Sequence, residues 1–134
     1  MYLGSDHRGI ELKNALLPFL KEEGYEAQDL TPTPDENGRI DFPVIGASVA
    51  QAVQKEEEAL GILICGSGIG VSIAANRFKG IRAAQVHSTK EITLAKHDDH
   101  INVLCLGADN TSIKEAKDFI NAWLETKPDH TERR

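Results

Sequence analysis

Short apolar runs alternate along the chain with longer stretches in which apolar residues recur every three or four positions. The short runs are typical of strands buried on both faces, and the longer stretches are typical of amphipathic helices. The pattern predicts five strands, at Met1–Gly4, Tyr25–Leu30, Gly61–Cys65, Ile81–Val86 and Asn102–Leu106. It predicts five helices, at about Arg8–Glu23, from Pro43 onward, and at Ile69–Arg77, Thr89–Lys96 and Ser112–Leu124.

Strict alternation of strand and helix is typical of a parallel sheet with helices on both faces. The sequence therefore predicts an α/β fold with three layers, an αβα sandwich around a five-stranded parallel sheet. A chain of 134 residues is the usual size of one domain, so residues 1–134 are expected to form a single domain. A flavodoxin-like strand order would place the ends of the first and third strands together, where ligands bind in such sheets.

Glycine and proline residues mark several boundaries. Pro18 lies inside the first helical pattern and predicts a kink or a restart of that helix, and Gly24 is placed to end it. The segment Thr31–Gly38 has two prolines and an Asn-Gly pair and predicts a surface loop. Pro43 suits the first turn of the second helix, and Thr111 or Ser112 can cap the last one.

Composition narrows the possible functions. The net charge is −6, with 15 basic and 21 acidic residues, which argues against nucleic-acid binding because phosphate neutralisation requires clustered Lys and Arg. No apolar run reaches the ~18 residues of a membrane span and no signal-peptide pattern is present, so we expect no membrane partner and a cytoplasmic location. Two cysteines in apolar segments indicate reduced thiols, with a Cys65–Cys105 disulfide as the open alternative.

The third predicted strand ends in the most informative segment, Cys65-Gly66-Ser67-Gly68-Ile69-Gly70. A thiol there would lie beside backbone N–H groups at the start of a helix, a position that can hold an anion and lower a thiol pKa. The alternative is that Cys65 is a small buried residue ending a core strand. The spacing is not a dinucleotide fingerprint or a Walker loop, and Val71 stands where a phosphatase loop needs arginine. One interpretation of the segment remains, in which the thiol moves a proton while the N–H groups stabilise an enediolate oxygen.

The first predicted strand leads into Asp6-His7-Arg8. If the first and third strands are neighbours, Asp6 and His7 meet Cys65 and Ser67 at one edge of the sheet, a set of groups sufficient for proton transfer. Asp6 is also placed to cap the following helix, and the alternative for His7 is a surface turn.

A further polar cluster, Lys96-His97-Asp98-Asp99-His100, ends the fourth predicted helix. Two histidines three residues apart can share a metal ion, but the sequence fixes no third ligand. We therefore expect no metal and a hydrated, charged turn.

Several motifs together resemble the type B ribose-5-phosphate isomerase family, which includes relatives that act on galactose and allose 6-phosphates. The resemblance runs nearly end to end and is carried by the segments Gly4–Gly9, Asp41–Pro43, Gly61–Gly70, Ser72–Asn76, Gly80–Ala84 and Asn102–Gly107. It implies a Rossmann-like αβα sandwich, a homodimer whose active sites are shared between subunits, a small sugar phosphate as substrate, and no cofactor.

The resemblance also implies residue roles. Cys65 would move a proton between C1 and C2 of the sugar, and Ser67 stands where the family usually has threonine. His97 or Asp98 would open the sugar ring. The catalytic candidates are therefore Cys65, Ser67, His97 and Asp98. The substrate-binding candidates are Asp6, His7, Arg8, Gly66, Gly68, Ile69, Gly70, Asp99 and Arg133.

Two departures from the family leave alternatives open. Asp98-Asp99 stand where the family has His-Asn, so the ring-opening acid is His97, Asp98 or His100. Asp109 replaces an arginine that binds phosphate, and Arg133 and Arg134 are the C-terminal counterparts of the family's phosphate arginines. The predicted reaction is interconversion of ribose 5-phosphate and ribulose 5-phosphate. The alternatives are a hexose 6-phosphate or unphosphorylated sugar, or a binding protein without turnover.

Overall fold

The computed structural model describes residues 1–131, which form five strands and five helices. The strands are β1 (Tyr2–Ser5), β2 (Gln28–Asp29), β3 (Gly61–Cys65), β4 (Ala83–Gln85) and β5 (Val103–Gly107). The helices are α1 (Ile10–Glu22), α2 (Phe42–Gln54), α3 (Ile69–Ala75), α4 (Thr89–Asp99) and α5 (Ile113–Glu125), with a turn of 3-10 helix at His7–Gly9 before α1. All the strand pairs are parallel, which confirms the predicted α/β fold.

Apolar side chains on the two faces of the sheet form two separate cores. One core joins β1, β3 and β5 to α1, α4 and α5, and Trp123 is its largest fully buried side chain. The other core joins β3 and β5 to α2 and α3 and contains both cysteines. Because β3 and β5 contribute to both cores, every residue in these strands is buried. The result is the predicted three-layer αβα sandwich.

The strand order is β2-β1-β3-β5-β4, and in this respect it differs from the flavodoxin-like order considered above. The last two strands are exchanged, so β5 lies inside the sheet and β4 lies at an edge. The compositions agree with these positions, because β5 (VLCLG) is apolar throughout, whereas β4 (AAQ) is short and less apolar. The ends of β1 and β3 are still neighbours, with Ser5 opposite Ile64.

The two edge strands are shorter than predicted. Within the expected Tyr25–Leu30 only Gln28–Asp29 pairs, and within Ile81–Val86 only Ala83–Gln85 pairs. The outward side of β4 is occupied by the amide of Asn76, whose Nδ2 donates to the Ala83 carbonyl and whose Oδ1 accepts from the Ala83 N–H, both at 2.8 Å.

The predicted helix boundaries are mostly confirmed. Gly24 ends α1 at φ +88°, where its N–H donates to Lys21 and the next N–H donates to Leu20, a Schellman motif. Pro43 lies in the first turn of α2, and Ser112 caps α5 through a capping box. Pro18 does not restart α1, which is continuous from Ile10 to Glu22 with Pro18 on its exposed side.

Helix α4 is longer than predicted. It continues past Lys96 through Asp99 and ends at His100, which adopts a left-handed conformation at φ +54°. His97, Asp98 and Asp99 are therefore part of a helix, and the prediction of a charged turn at these positions was wrong.

Candidate active site

The carboxyl ends of β1, β3 and β5 meet at one edge of the sheet, which we call the carboxyl edge. Cys65 lies opposite Gly107 of β5, and Ser5 lies beside Ile64 of β3. The segments that follow these strands, from Asp6, Gly66 and Ala108, are therefore neighbours. Polar groups that are far apart in the sequence are brought together here, as expected for ligand sites in parallel sheets.

The thiol of Cys65 is almost fully buried, at 4% exposure, and accepts a hydrogen bond. The donor is the N–H of Gly68, which lies 3.1 Å from Sγ. Gly68 has a φ of +80°, and a Cβ at this position would lie only 3.1 Å from the backbone N of Gly107. The backbone therefore requires glycine here in order to direct its N–H at the sulfur.

Ser67 stands between the thiol and α3. Its Oγ accepts a hydrogen bond from the N–H of Ile69 at 3.1 Å, and its carbonyl accepts one from Nε2 of Gln85 at 2.6 Å. The sequence analysis did not identify Gln85, which lies on β4 and fixes the loop after β3 through this hydrogen bond. No sequence motif marks it, since only the strand order brings β4 close to this loop.

The residues after β1 are held by local hydrogen bonds. Asp6 is 5% exposed, and its Oδ1 accepts from the N–H groups of Arg8 at 2.9 Å and Gly9 at 3.2 Å, which confirms the predicted capping role. His7 is half-buried, and its Nδ1 lies 3.1 Å from the carbonyl oxygen of Ile40 and 3.2 Å from the backbone nitrogen of Ile40. The Ile40 backbone therefore holds the ring through Nδ1.

Arg8 joins two of these segments. Its guanidinium lies so close to Gly66 that a Cβ there would overlap it. Its Nη2 forms an ion pair with Oδ2 of Asp109, and the N–H of Asp109 donates to the carbonyl of Gly66 at 2.9 Å. Both side chains are about half exposed. The Asp109 carboxylate is therefore paired with the Arg8 guanidinium, and the Asp109 backbone is bonded to the glycine-rich loop.

Phe42 is another residue without an assigned role in the sequence analysis. Its ring packs against Gly70, where a Cβ would lie 2.9 Å from two ring carbons. Phe42 is 41% exposed, and Ile69 and Ile73 of α3 are 51% and 60% exposed. These residues place exposed apolar surface directly beside the loop that follows Cys65.

The second cysteine has a different environment. Both thiols are free, which closes the disulfide alternative. Cys105 is completely buried in β5, and burial raises its pKa well above the ordinary value, with a smaller contribution from Cys65. Cys105 therefore remains protonated at neutral pH, and Cys65 is the better candidate for a base.

The cluster at the end of α4 lies at the opposite edge of the sheet. We call the edge at which the strands begin the amino edge. Because α4 returns from the end of β4 to the start of β5, its last turn lies at this edge, roughly 16 Å along the helix from its first residue. Here His97 Nδ1 lies 2.8 Å from Asp98 Oδ1, and the carbonyl of Asp99 accepts from Arg82. Within one chain, His97, Asp98 and Asp99 are therefore not brought together with Cys65.

The remaining histidine candidate, His100, does not join the Cys65 site either. His100 contacts the carbonyl of Asp129 through Nε2, also at the amino edge. Arg133 and Arg134 lie outside the described residues. Among residues 1–131, no three His, Cys, Asp or Glu side chains are grouped as a metal site. No helix in the same range has the length and apolar character needed to cross a membrane.

The fold and the carboxyl edge define a class of protein. It is a parallel α/β protein in which a buried thiol faces a backbone N–H in a glycine-rich loop, beside a capped aspartate, a histidine and an arginine. This arrangement suits proton transfer next to a carbonyl with stabilisation of the resulting oxyanion.

Comparison with known proteins identifies the family. The family model described as Ribose/Galactose Isomerase matches residues 1–134. A probable ribose-5-phosphate isomerase B of Mycoplasma pneumoniae is 40% identical over 129 residues, which cover 93% of this chain and 84% of that protein. A D-erythrulose-4-phosphate isomerase of Pectobacterium atrosepticum is 35% identical over 125 residues, which cover 93% and 82%.

The solved structures agree with the sequence comparisons. Ribose-5-phosphate isomerase B of Mycoplasma genitalium, with bound ribulose-5-phosphate, superposes with a TM-score of 0.90 at 37% identity, covering 97% of this chain and 86% of that one. The chain belongs to the ribose/galactose isomerase family and is an aldose–ketose isomerase. This assignment favours an enzyme over the binding protein without turnover.

Proposed function

We propose that the chain interconverts ribose 5-phosphate and ribulose 5-phosphate, with Cys65 as the base. The observation that carries this proposal is the hydrogen bond from the Gly68 N–H to the Cys65 sulfur, 3.1 Å long, at the carboxyl edge. A donor in this position stabilises a thiolate. The relatives named above support the substrate, because one is a probable ribose-5-phosphate isomerase B and another structure holds ribulose-5-phosphate.

In the proposed reaction the Cys65 thiolate removes the proton from C2 of the open-chain aldose. The electron pair of that C–H bond forms the C1–C2 double bond, and the negative charge moves to the oxygen on C1. The N–H groups of the loop from Gly66 to Gly70 stabilise this enediolate oxygen. The thiol then returns the proton to C1, while the proton of the C2 hydroxyl moves to the oxygen on C1, and the ketose forms.

Arg8 is proposed to bind the phosphate group. The family's arginine at position 109 is an aspartate here, but the Arg8 guanidinium cancels the charge of Asp109 and has further N–H donors. Half of its side chain is exposed beside Gly66, so these donors can be reached by a substrate. His7 lies on the same segment and is proposed to contact the substrate through Nε2.

Ring opening is proposed to use the His97–Asp98 pair of a second copy of the chain. Within one chain this pair lies at the amino edge, whereas Cys65 lies at the carboxyl edge. The exposed apolar residues Phe42, Ile69 and Ile73 beside the Cys65 loop form a surface that a second copy would cover. We therefore propose a homodimer in which each active site combines the Cys65 loop of one subunit with the end of α4 of the other.

A substrate panel tests the choice of sugar. We expect kcat/KM to be highest for ribose 5-phosphate when it is compared with erythrulose 4-phosphate, galactose 6-phosphate, allose 6-phosphate and unphosphorylated ribose. Arg8→Ala should raise KM for the phosphorylated sugars about 10- to 100-fold, because a hydrogen bond to a charged group contributes about 1.5–3 kcal/mol. A higher kcat/KM for another sugar would replace ribose 5-phosphate as the substrate, and an unchanged KM in Arg8→Ala would remove Arg8 from the phosphate site.

Mixing two inactive variants tests the shared active site. Cys65→Ala is mixed with the double variant His97→Ala, Asp98→Asn under conditions that allow subunits to exchange. Each mixed dimer has one site with both Cys65 and the acid pair, so activity should return to about a quarter of the wild-type value if subunits assort at random. If the groups act within one chain, the mixture will stay inactive, and the proposal of a shared site will be wrong.

A further inference from the structure

A cavity of about 530 Å³ lies at the amino edge of the sheet, whereas Cys65 lies at the carboxyl edge. Its walls come from the loops at residues 56–60, 79–80 and 100–102 and from the segment 126–130 after α5. Its volume is within the usual range of small-molecule sites. The reaction proposed above makes no use of it.

Lys96 is the most unusual group in the wall of this cavity. The residue is only 8% exposed, and its Nζ lies 5.0 Å from the centroid of the Trp123 ring. Among residues 1–131, its ammonium makes a cation–π interaction with Trp123 but no hydrogen bond or ion pair, so no anionic group neutralises its charge. Burial lowers the pKa of Lys96, which reflects the cost of keeping a charge there. An anion bound in the cavity would offset that cost.

The other walls of the cavity fit an organic anion. Val53 and Ile101 are buried and apolar and can contact a carbon skeleton. Lys79 and Lys127 are exposed, as are the three acidic residues of the wall, Glu56, Glu57 and Glu58. These charges lie near solvent, so the buried charge in the wall is the Lys96 ammonium.

Backbone conformation distinguishes the same region. Among the described residues, Glu58 at φ +62° and His100 at φ +54° are the two positions other than glycine with a positive φ, and both line this cavity. Such conformations carry a free-energy cost and are concentrated at ligand sites. His100 also packs edge-to-face against His130, with ring centroids 5.4 Å apart, which joins α4 to the C-terminal segment.

We propose that this cavity is a second ligand site, separate from the isomerase site, which binds small organic anions through the Lys96 ammonium. The recognised group is a carboxylate or a phosphate monoester, because either supplies the negative charge that Lys96 lacks. The alternative is that the lysine stem packs on Trp123 and its ammonium reaches water through the cavity, without a ligand.

Amide chemical shifts of the uniformly ¹⁵N-labelled full chain test the proposal. Inorganic phosphate is titrated in one arm and citrate in the other. We expect saturable shifts in at least one arm at residues 56–60 and 79–80, which line the cavity and belong to no part of the proposed isomerase site. The arm with the tighter binding identifies the group, phosphate or carboxylate. Shifts confined to the isomerase site, at residues 66–70 and 97–99, or no shifts at millimolar concentrations of either anion, would overturn the proposal.

Matched variants separate the ammonium from general effects of salt. Lys96→Met keeps an apolar stem over Trp123 and should weaken anion binding about 10- to 100-fold, whereas Lys96→Arg should retain most of it. Lys90→Met removes an exposed charge from the same helix and should bind as wild type does. Equal binding by Lys96→Met and wild type would show that Lys96 is not the anchor. A thermal unfolding curve of each variant confirms that the fold is intact.

Discussion

Cys65→Ala is expected to lower kcat for ribose 5-phosphate by roughly 10²–10⁴-fold, which is the usual effect of losing a positioned proton-transfer group. KM should change little, because the N–H groups of the loop and the Arg8 guanidinium remain in place. The loss should be measured as the initial rate of ribulose 5-phosphate formation. The same substitution should also stop incorporation of solvent deuterium at C2 of the substrate, which reports proton removal directly.

Cys105→Ala is the matched control. Cys105 is also a buried, free cysteine, two residues along the neighbouring strand from the position opposite Cys65, but burial keeps its thiol protonated. This variant should retain kcat and lose about 1 kcal/mol of stability through the small cavity that it creates. If Cys65→Ala keeps near-wild-type turnover, or if both variants lose it equally, Cys65 is not the base.

Gly68→Ala is expected to have the second largest effect. Alanine at a φ of +80° costs about 1–2 kcal/mol, and its Cβ would also lie 3.1 Å from backbone atoms of Leu106 and Gly107. The loop must move to relieve this contact, and the N–H that now points at the Cys65 sulfur moves with it. Since a hydrogen bond to a charged group contributes about 1.5–3 kcal/mol, we expect loss of this support for the thiolate to lower kcat by roughly 10- to 100-fold.

Gly80→Ala separates the cost of alanine at a positive φ from the displacement of the Gly68 N–H. Gly80 has nearly the same φ, +82°, but a Cβ there would meet nothing within 4 Å. It should therefore show the stability loss of about 1–2 kcal/mol in denaturant unfolding without any change in kcat. Reaction of Cys65 with iodoacetamide at neutral pH should be slower in Gly68→Ala and unchanged in Gly80→Ala. Equal turnover in the two variants would mean that the Gly68 N–H does not support the thiol.

The carboxyl edge was largely predictable from the sequence. β3 begins and ends at the predicted residues because an uninterrupted apolar run between polar segments has one reasonable interpretation as a buried strand. Parallel strands bring their ends to one edge, so the alternation of strands and helices placed Asp6 and the Cys65 loop at the same edge. Their proximity also required β1 and β3 to be neighbours, which the sequence left open and the structure shows. Gly68 was identified as part of a cradle, although its direct hydrogen bond to the sulfur was not.

Other features depend on contacts that a linear pattern does not contain. The exchange of β4 and β5 reflects competition between strands for the centre of the sheet. Asp109, considered alone, suggests repulsion of phosphate, but its pairing with Arg8 joins residues 101 positions apart. The last turn of α4 has weak apolar periodicity, so its helical state emerges only from the fold. Its position at the amino edge follows from the predicted alternation of parallel strands and helices.

The amide of Asn76 has a further consequence for how copies of this chain associate. An edge strand with unpaired N–H and C=O groups can accept a strand from another molecule, which is a common route to aggregation. On β4 the outward N–H and C=O of Ala83 are already bonded to Asn76, and on the other side β2 is only two residues long. Neither border offers a long template for strand addition. We therefore expect the proposed dimer to form through the helical layers, where side chains rather than backbone groups determine the partner.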